Sequence, residues 1–279
     1  MSTGGVPIAQ WRAWNFLRFS KAKTYLSENI NEGLICHQAV VGGQNMKKRL
    51  FVGAFMLAAA SFGGFAGDVA AFVDLGLSSD GTTYVFGEYG KTDKKFQGYA
   101  EIYAVDIASN SFVDGGVFKT VPSSSTASKS GKSVFEDLQG KASWYLKKYN
   151  LKQVSPKNLL YVCDETKSPM SEIVFKDFDG STSEKSVFYH IQLSKNVEGS
   201  GKNVSSSFYI TMERKDEGGN VLGRNMVGSP DVKRKGVAEY KIDRIFSDEM
   251  RKNLIFVVEK TVKDDSGTSI RYMVETVKL

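Results

Sequence analysis

The chain is poor in the two side chains that most metal sites and many catalytic sets draw on, with two cysteines and two histidines among 279 residues. Cys36 and His37 lie in an N-terminal stretch that reads as removable, which leaves Cys163 and His190. One cysteine forms no intramolecular disulfide. One cysteine with one histidine falls short of the three or four such ligands of a usual zinc site, so no metal is expected. Three familiar loops are missing too. No Gly-x-Ser-x-Gly elbow stands between a strand and a helix, and there is neither a Walker phosphate loop nor a dinucleotide fingerprint, so no cofactor is expected.

The removable stretch is defined by Met46, which is followed by Lys47, Lys48 and Arg49 and then by the apolar run Leu50 to Ala60. A basic segment leading into a short apolar one is the form of a secretory signal peptide. Small residues follow from Ser61 to Ala66, and cleavage after Ala66 places Ala66 and Gly64 at the two positions that must be small. The apolar run ends before the roughly 20 residues a membrane-crossing helix needs, so no stable span is expected after cleavage. No cysteine follows it, so lipid attachment is not indicated. Residues 1–45 then read as an upstream extension from a start codon placed too early, since Gly42-Gly43 is encodable as a purine-rich ribosome-binding sequence just before Met46. The alternative is a genuine extension with a short amphipathic helix around Trp11 to Phe19.

Charge of one sign is also lacking in what remains. The whole chain has a formal charge of +6, but seven of its 37 basic and two of its 31 acidic residues lie in 1–66, leaving 30 against 29. A net charge of +1 gives no basis for binding nucleic acid or an anionic membrane. The one dense basic run, Lys233-Arg234-Lys235, reads as a solvated turn between strands.

What the remaining residues 67–279 do contain is strand signal: short runs of β-branched and aromatic residues separated by Gly, Asp, Asn and Ser. The first unit runs Phe72-Val-Asp-Leu-Gly-Leu, a turn at Ser78-Ser-Asp-Gly81, then Thr82-Thr-Tyr-Val-Phe-Gly-Glu-Tyr. A loop from Gly90 to Gly98 leads to Tyr99-Ala-Glu-Ile-Tyr-Ala-Val-Asp-Ile, and Phe112 to Val121 supplies a fourth strand. The end of the chain repeats the plan with Tyr240 to Phe246, the turn Ser247-Asp248-Glu249, Leu254 to Lys260, the turn Asp264 to Gly267, and Ile270 to Val277. Placing Ser79-Asp80 on Ser247-Asp248 brings Tyr84-Val85-Phe86 close to Ile255-Phe256-Val257, a weak internal repeat of a meander. A third hairpin joins Ser186–Leu193 to Ser206–Arg214 across Gly199-Ser-Gly201. The expected fold is therefore mainly β: antiparallel meanders, propeller-blade-like or sandwich-like, forming a single secreted domain over 67–279.

One helix interrupts the strands. After a polar linker from Pro122 to Lys132, Ser133 and Glu136 match a capping box, and Val134, Leu138, Ala142, Tyr145 and Tyr149 keep helical spacing on one face, predicting an amphipathic helix from Ser133 to Asn150. Gly140 weakens it by about 1 kcal/mol, so packing must hold it. Its stripe, including Trp144 or Tyr145, reads as core.

Two resemblances follow from these segments. Leu75-Gly-Leu-Ser-Ser-Asp-Gly-Thr-Thr-Tyr-Val-Phe, with Glu101-Ile-Tyr-Ala-Val-Asp-Ile, resembles a blade of the TolB-type β-propellers, with Ser79 in place of the usual proline. A propeller needs at least four blades, and the helix fits that plan poorly. From Asp68 to Lys278 the chain resembles a family of predicted secreted proteins of spirochaetes, on the leader, the Phe72 to Tyr89 turn motif and the ending Ser269-Ile-Arg-Tyr-Met-Val. That resemblance implies a periplasmic or secreted location and one β-rich domain, and it brings no catalytic residues with it.

Two functions remain open on the residues. The first is a non-enzymatic binding or scaffold protein of the bacterial envelope, whose partner is an envelope protein or a glycan, with no catalytic, cofactor-binding or metal residues. The second is an envelope-polymer hydrolase working through carboxylates such as Glu88, Glu101 or Asp106, which need no histidine. His190 sits in the strand pattern Val187-Phe-Tyr-His-Ile-Gln-Leu and reads as a packing or face residue. Asp177-Phe-Asp-Gly-Ser-Thr-Ser-Glu184 has its glycine at the fourth place of the loop instead of the sixth, which excludes an EF-hand and leaves a turn. Cys163 follows Leu159-Leu-Tyr-Val, which reads as a buried strand and predicts an inert thiol.

Overall fold

Alternating side chains along the central strands point to two different cores at once, and the computed structural model shows why. It describes residues 68–164, 166, 172–265 and 267–279. The expected extension, signal peptide and Trp11–Phe19 helix lie outside the described residues. The strands are β1 (Asp68–Val69), β2 (Ala71–Leu77), β3 (Thr83–Lys91), β4 (Gly98–Asp106), β5 (Ser111–Thr120), β6 (Leu159–Val162), β7 (Ile173–Lys176), β8 (Val187–Glu198), β9 (Ser205–Asp216), β10 (Val221–Lys235), β11 (Val237–Ser247), β12 (Asn253–Asp264) and β13 (Gly267–Lys278), with helix α1 (Gly131–Leu146) between β5 and β6. They form three sheets: β2-β3-β4-β5, then β1-β13-β12-β11-β6, then β10-β9-β8-β7. All pairings are antiparallel except that of β1, which lies parallel to β13 and so ties the first described residues to the last strand.

The sheets stack in sequence: strands of the first two contribute alternate residues to the layers above and below, and the third buries one face against the second. Val85, Ala100, Ile102 and Ala104 of the first sheet pack under Val134, Phe135, Leu138, Ala142 and Tyr145 of α1. The opposite face of that sheet, with Tyr84, Phe86 and Val105, packs on Phe246, Ile255, Val257 and Val274 of the second. The second sheet then turns Ile242, Ile245, Leu254, Phe256 and Val258 toward Ile191, Phe208, Ile210 and Met212 of the third. β12 is thus buried on both faces, which explains its uninterrupted run Leu254-Ile-Phe-Val-Val where an edge strand would alternate. The repeat seen in the sequence has a structural counterpart. Tyr84 and Phe86 of β3 face Ile255 and Val257 of β12 in one core, while Val85 and Phe256 point outward to α1 and to the third sheet.

The mainly β antiparallel fold with one helix is as expected. The propeller-like variant needs at least four blades, and the described residues form three sheets. The helix starts earlier than its capping box implied: Ser130 is the N-cap, its Oγ accepting from the Ser133 N–H at 3.1 Å. Gly131 opens it because a Cβ there would lie 2.8 Å from the Gly90 carbonyl oxygen, so only glycine lets the helix approach β3 this closely. Of the expected stripe Tyr145 is core, whereas Trp144 is 71 % exposed. The helix covers the first sheet alone. Lys233-Arg234-Lys235 ends β10 and does not form a turn. Lys233 pairs with Glu198, and Arg234 lies over the Phe208 ring and 3.5 Å from Glu275. β6 is an edge strand with Leu159 and Val162 exposed, not a buried one.

Candidate functional site

The carboxylates singled out from sequence do not meet in an open cleft. Glu88 on β3 and Glu101 on β4 are register partners, so two acids stand side by side on the face turned toward the second sheet. Glu88 is only 2 % exposed, and its Oε2 accepts the Tyr272 backbone N–H of β13 at 2.7 Å. Burial pushes its carboxyl up to about 7, with neighbouring Glu101 adding to the rise and the Tyr272 N–H, Lys260 and Arg271 opposing it. Glu101 pairs with Lys119 at 3.1 Å on a more accessible part of the sheet. Asp106, at the far end of β4, accepts from the Ser109 N–H and hydroxyl at 2.8 and 2.7 Å, which hold its carboxyl below the usual range and close the β4–β5 turn.

Around Glu88 the other groups form a polar seam between the first two sheets. Arg271 reaches Asp68 at 2.6 Å while its guanidinium lies over the Tyr99 ring, and the Tyr99 hydroxyl donates to Asp68 at 2.7 Å. Thr276 and Glu275 take hydrogen bonds from Asn110 of the β4–β5 turn or give them to it. Arg271 and Asp68 both belong to the second sheet, whereas Tyr99–Asp68, Glu88–Tyr272 and the Asn110 contacts cross from the first sheet to the second, so the seam fixes their register as cross-strand pairs do within a sheet. Its acids are engaged in joining layers.

His190 lies on β8 with Nδ1 3.1 Å from Glu172 Oε1, and Cys163 borders a cavity of about 330 Å3 lined also by Tyr161, Ile191, Leu193 and Lys195. The Asp177 turn is a turn indeed. Asp177 Oδ1 accepts the Gly180 N–H at 3.0 Å, and its Oδ2 receives Arg214 from β9 through Nε at 2.8 Å and Nη2 at 2.7 Å. A Cβ on Gly180 would meet both Asp177 Oδ2 and Arg214 Nη2 at 2.3 Å, so glycine is required for this ion pair.

The pair stands on the rim of a cavity of about 390 Å3 at the corner where the third sheet leaves the second. Its walls are Leu160, Phe175, Tyr189 and Leu254, and its rim carries Arg214, Arg251, Lys157 and Asp179. Arg251 lies 3.2 Å from Asp179 and over the Phe178 ring. Burial and the Asp177 carboxylate push the Tyr189 hydroxyl up to about 12, so it stays a hydrogen-bond donor at neutral pH. At the end of β11, Ser247 faces the same side as its register partner Leu254 and lines the cavity. Its Oγ is buried and has no hydrogen-bond partner among the described residues.

A family model described as predicted secreted protein, DUF2259, matches residues 85–278, from within β3 to the end of β13. The chain belongs to that family. No curated protein matches it, and no solved structure does. Membership of DUF2259 thus brings secretion by description and no assigned reaction. Among the described residues no helix is long and apolar enough to cross a membrane.

The corner cavity of this DUF2259 chain was not visible in the sequence. Of its lining only the Asp177-Phe-Asp-Gly180 turn stands out in the sequence, where its acids suggest a calcium loop and its spacing excludes an EF-hand. Arg214, Ser247 and Arg251 sit on or beside three different strands and carry no shared motif. The single available signal was Gly180, a glycine after two aspartates, whose role appears only once Arg214 is placed across from it.

Proposed function

We propose that this secreted chain is a non-enzymatic binding or scaffold protein of the bacterial envelope, exported through the signal at 46–66 and acting in the periplasm or beyond it. The observation that carries this reading is the position of the three candidate acids. Hydrolysis of a glycan by two carboxylates requires both to reach the scissile bond from a shared cleft. Glu88 is sealed between sheets, Glu101 is paired with Lys119, and Asp106 holds a turn. The corner cavity, by contrast, joins an apolar floor to a few placed polar groups, which is the usual form of a small-ligand site.

The reading is tested by incubating the purified secreted form with isolated cell-wall material, then measuring both co-sedimentation and newly released reducing ends. Retention without release is expected. Release that disappears in Glu101→Gln, a substitution on a half-exposed side chain, would overturn it in favour of the hydrolase.

A further inference from the structure

We propose that the corner cavity binds a small organic carboxylate whose body is an apolar group about the size of an aromatic ring. This rests on the binding-protein reading and names the class of ligand. Three observations converge on it. The walls Leu160, Phe175, Tyr189 and Leu254 are apolar, and a volume of about 390 Å3 admits on the order of a dozen non-hydrogen atoms. At the rim Arg214 commits Nε and Nη2 to one oxygen of Asp177, while a guanidinium carries about five N–H donors, so donors remain for a second acceptor. Arg251 is in the same position, with Nη1 on the exposed Asp179 and the rest of its fork uncommitted. Two forks beside an apolar well fit a planar carboxylate, which accepts paired N–H donors.

The third observation is Ser247. A buried hydroxyl without a partner costs the free protein stability, and proteins rarely keep one unless something else satisfies it. Ser247 lines the cavity with its Oγ closed off from solvent, so a χ1 rotation of that side chain is what would bring the hydroxyl to the second oxygen of a carboxylate held at the rim. Recognition is then two-ended, with charge at the rim and one hydrogen bond on the wall.

The test uses the whole secreted form and calorimetric titration with 3-phenylpropionate, its alcohol 3-phenylpropanol, and inorganic phosphate. Saturable binding of the acid is expected at millimolar concentrations or below, with the alcohol and phosphate each weaker by about tenfold or more. Arg251→Gln, on a side chain that pairs only at the surface, should weaken the acid about tenfold and leave the alcohol unchanged. Ser247→Ala should weaken the acid a few-fold and yet raise the melting temperature of the free protein, a combination that a packing residue would not give. Equal binding of acid and alcohol, no saturable binding of the acid, or affinity unchanged in both variants would overturn the proposal. None of these results bears on retention by cell-wall material, so the two readings fail separately.

Discussion

Glu88 offers the sharpest quantitative test, because a carboxyl sealed between two sheets makes stability depend on pH in a defined direction. Its pKa is raised from 4.5 to about 7, first by burial. Between those values the folded chain keeps a proton that the unfolded chain has released, so stability is highest on the acid side of the window and falls as pH rises through about 7. A shift of this size corresponds to about 3 kcal/mol. The groups facing Glu88 set how much of that is realised. Lys260 on β12 and Arg271 on β13 favour the ionised form, and Glu101 on β4 disfavours it, while Asp68 is itself held by Arg271 and Tyr99. Lys260 is itself largely buried, and burial lowers its pKa, so it does not fully offset the penalty. Urea unfolding followed by circular dichroism at pH 5, 6, 7 and 8 measures the slope. Glu88→Gln keeps an oxygen to accept the Tyr272 N–H and removes the titration. The variant should match the parent near pH 5, flatten the decline, and exceed the parent at pH 8 by up to about 3 kcal/mol. A parent whose stability does not fall over this range, or a variant that falls in parallel with it, would refute the account.

Three further outcomes follow from the same layers. Phe256→Asp places a charge where Phe256 is fully buried between the second and third sheets, and it should abolish the cooperative melting transition seen by calorimetry. Cys163 is partly exposed and borders a cavity, so a small thiol reagent should label it in the native protein; labelling only after denaturation would contradict this. The secreted form should begin near Gly67, read by mass spectrometry of the native N-terminus, and peptides from residues 1–45 on the exported protein would count against the signal at 46–66.

Strands and turns were legible in the sequence because their signals are local. Asp80-Gly81 between two β-branched runs specifies a hairpin wherever it stands, and Thr83–Lys91 and Gly98–Asp106 pair as the alternation required. The layering was harder to read, since burial on a second face shows only as the loss of alternation in Leu254-Ile-Phe-Val-Val. The same logic misled at Leu159-Leu-Tyr-Val, four apolar residues that form an edge strand with two of them exposed. An apolar run reports what a segment tolerates, and its neighbours decide how much of it is covered. Glu88 is a candidate acid by its type and strand position, but its role depends on β13, 184 residues later, arriving with a free N–H. No local pattern carries that information.

The same dependence on distant neighbours leads to the last prediction, that the N-terminal meander does not fold without the rest. A chain from Gly67 to Val121 contains β1 to β5 and nothing that covers them. One face of its sheet, around Val85, Ile102 and Ala104, is closed by α1, and the other, around Tyr84, Phe86 and Val105, by β11 to β13. The fragment therefore exposes two apolar faces where an ordinary antiparallel sheet exposes at most one. It also carries Glu88 without the Tyr272 N–H, and Asp68 without Arg271. A meander of about four strands buries too little apolar surface to offset its chain entropy under those conditions. Adding α1 by ending the fragment near Asn150 covers one face and still leaves the aromatic face of Tyr84 and Phe86 open. Both fragments should lack a cooperative thermal transition, and the longer one should also bind a hydrophobic dye, as expected of a collapsed chain with exposed apolar surface. A sharp transition in the shorter fragment would show that the first sheet is a self-sufficient module, and the stacked-layer account of stability would have to be given up.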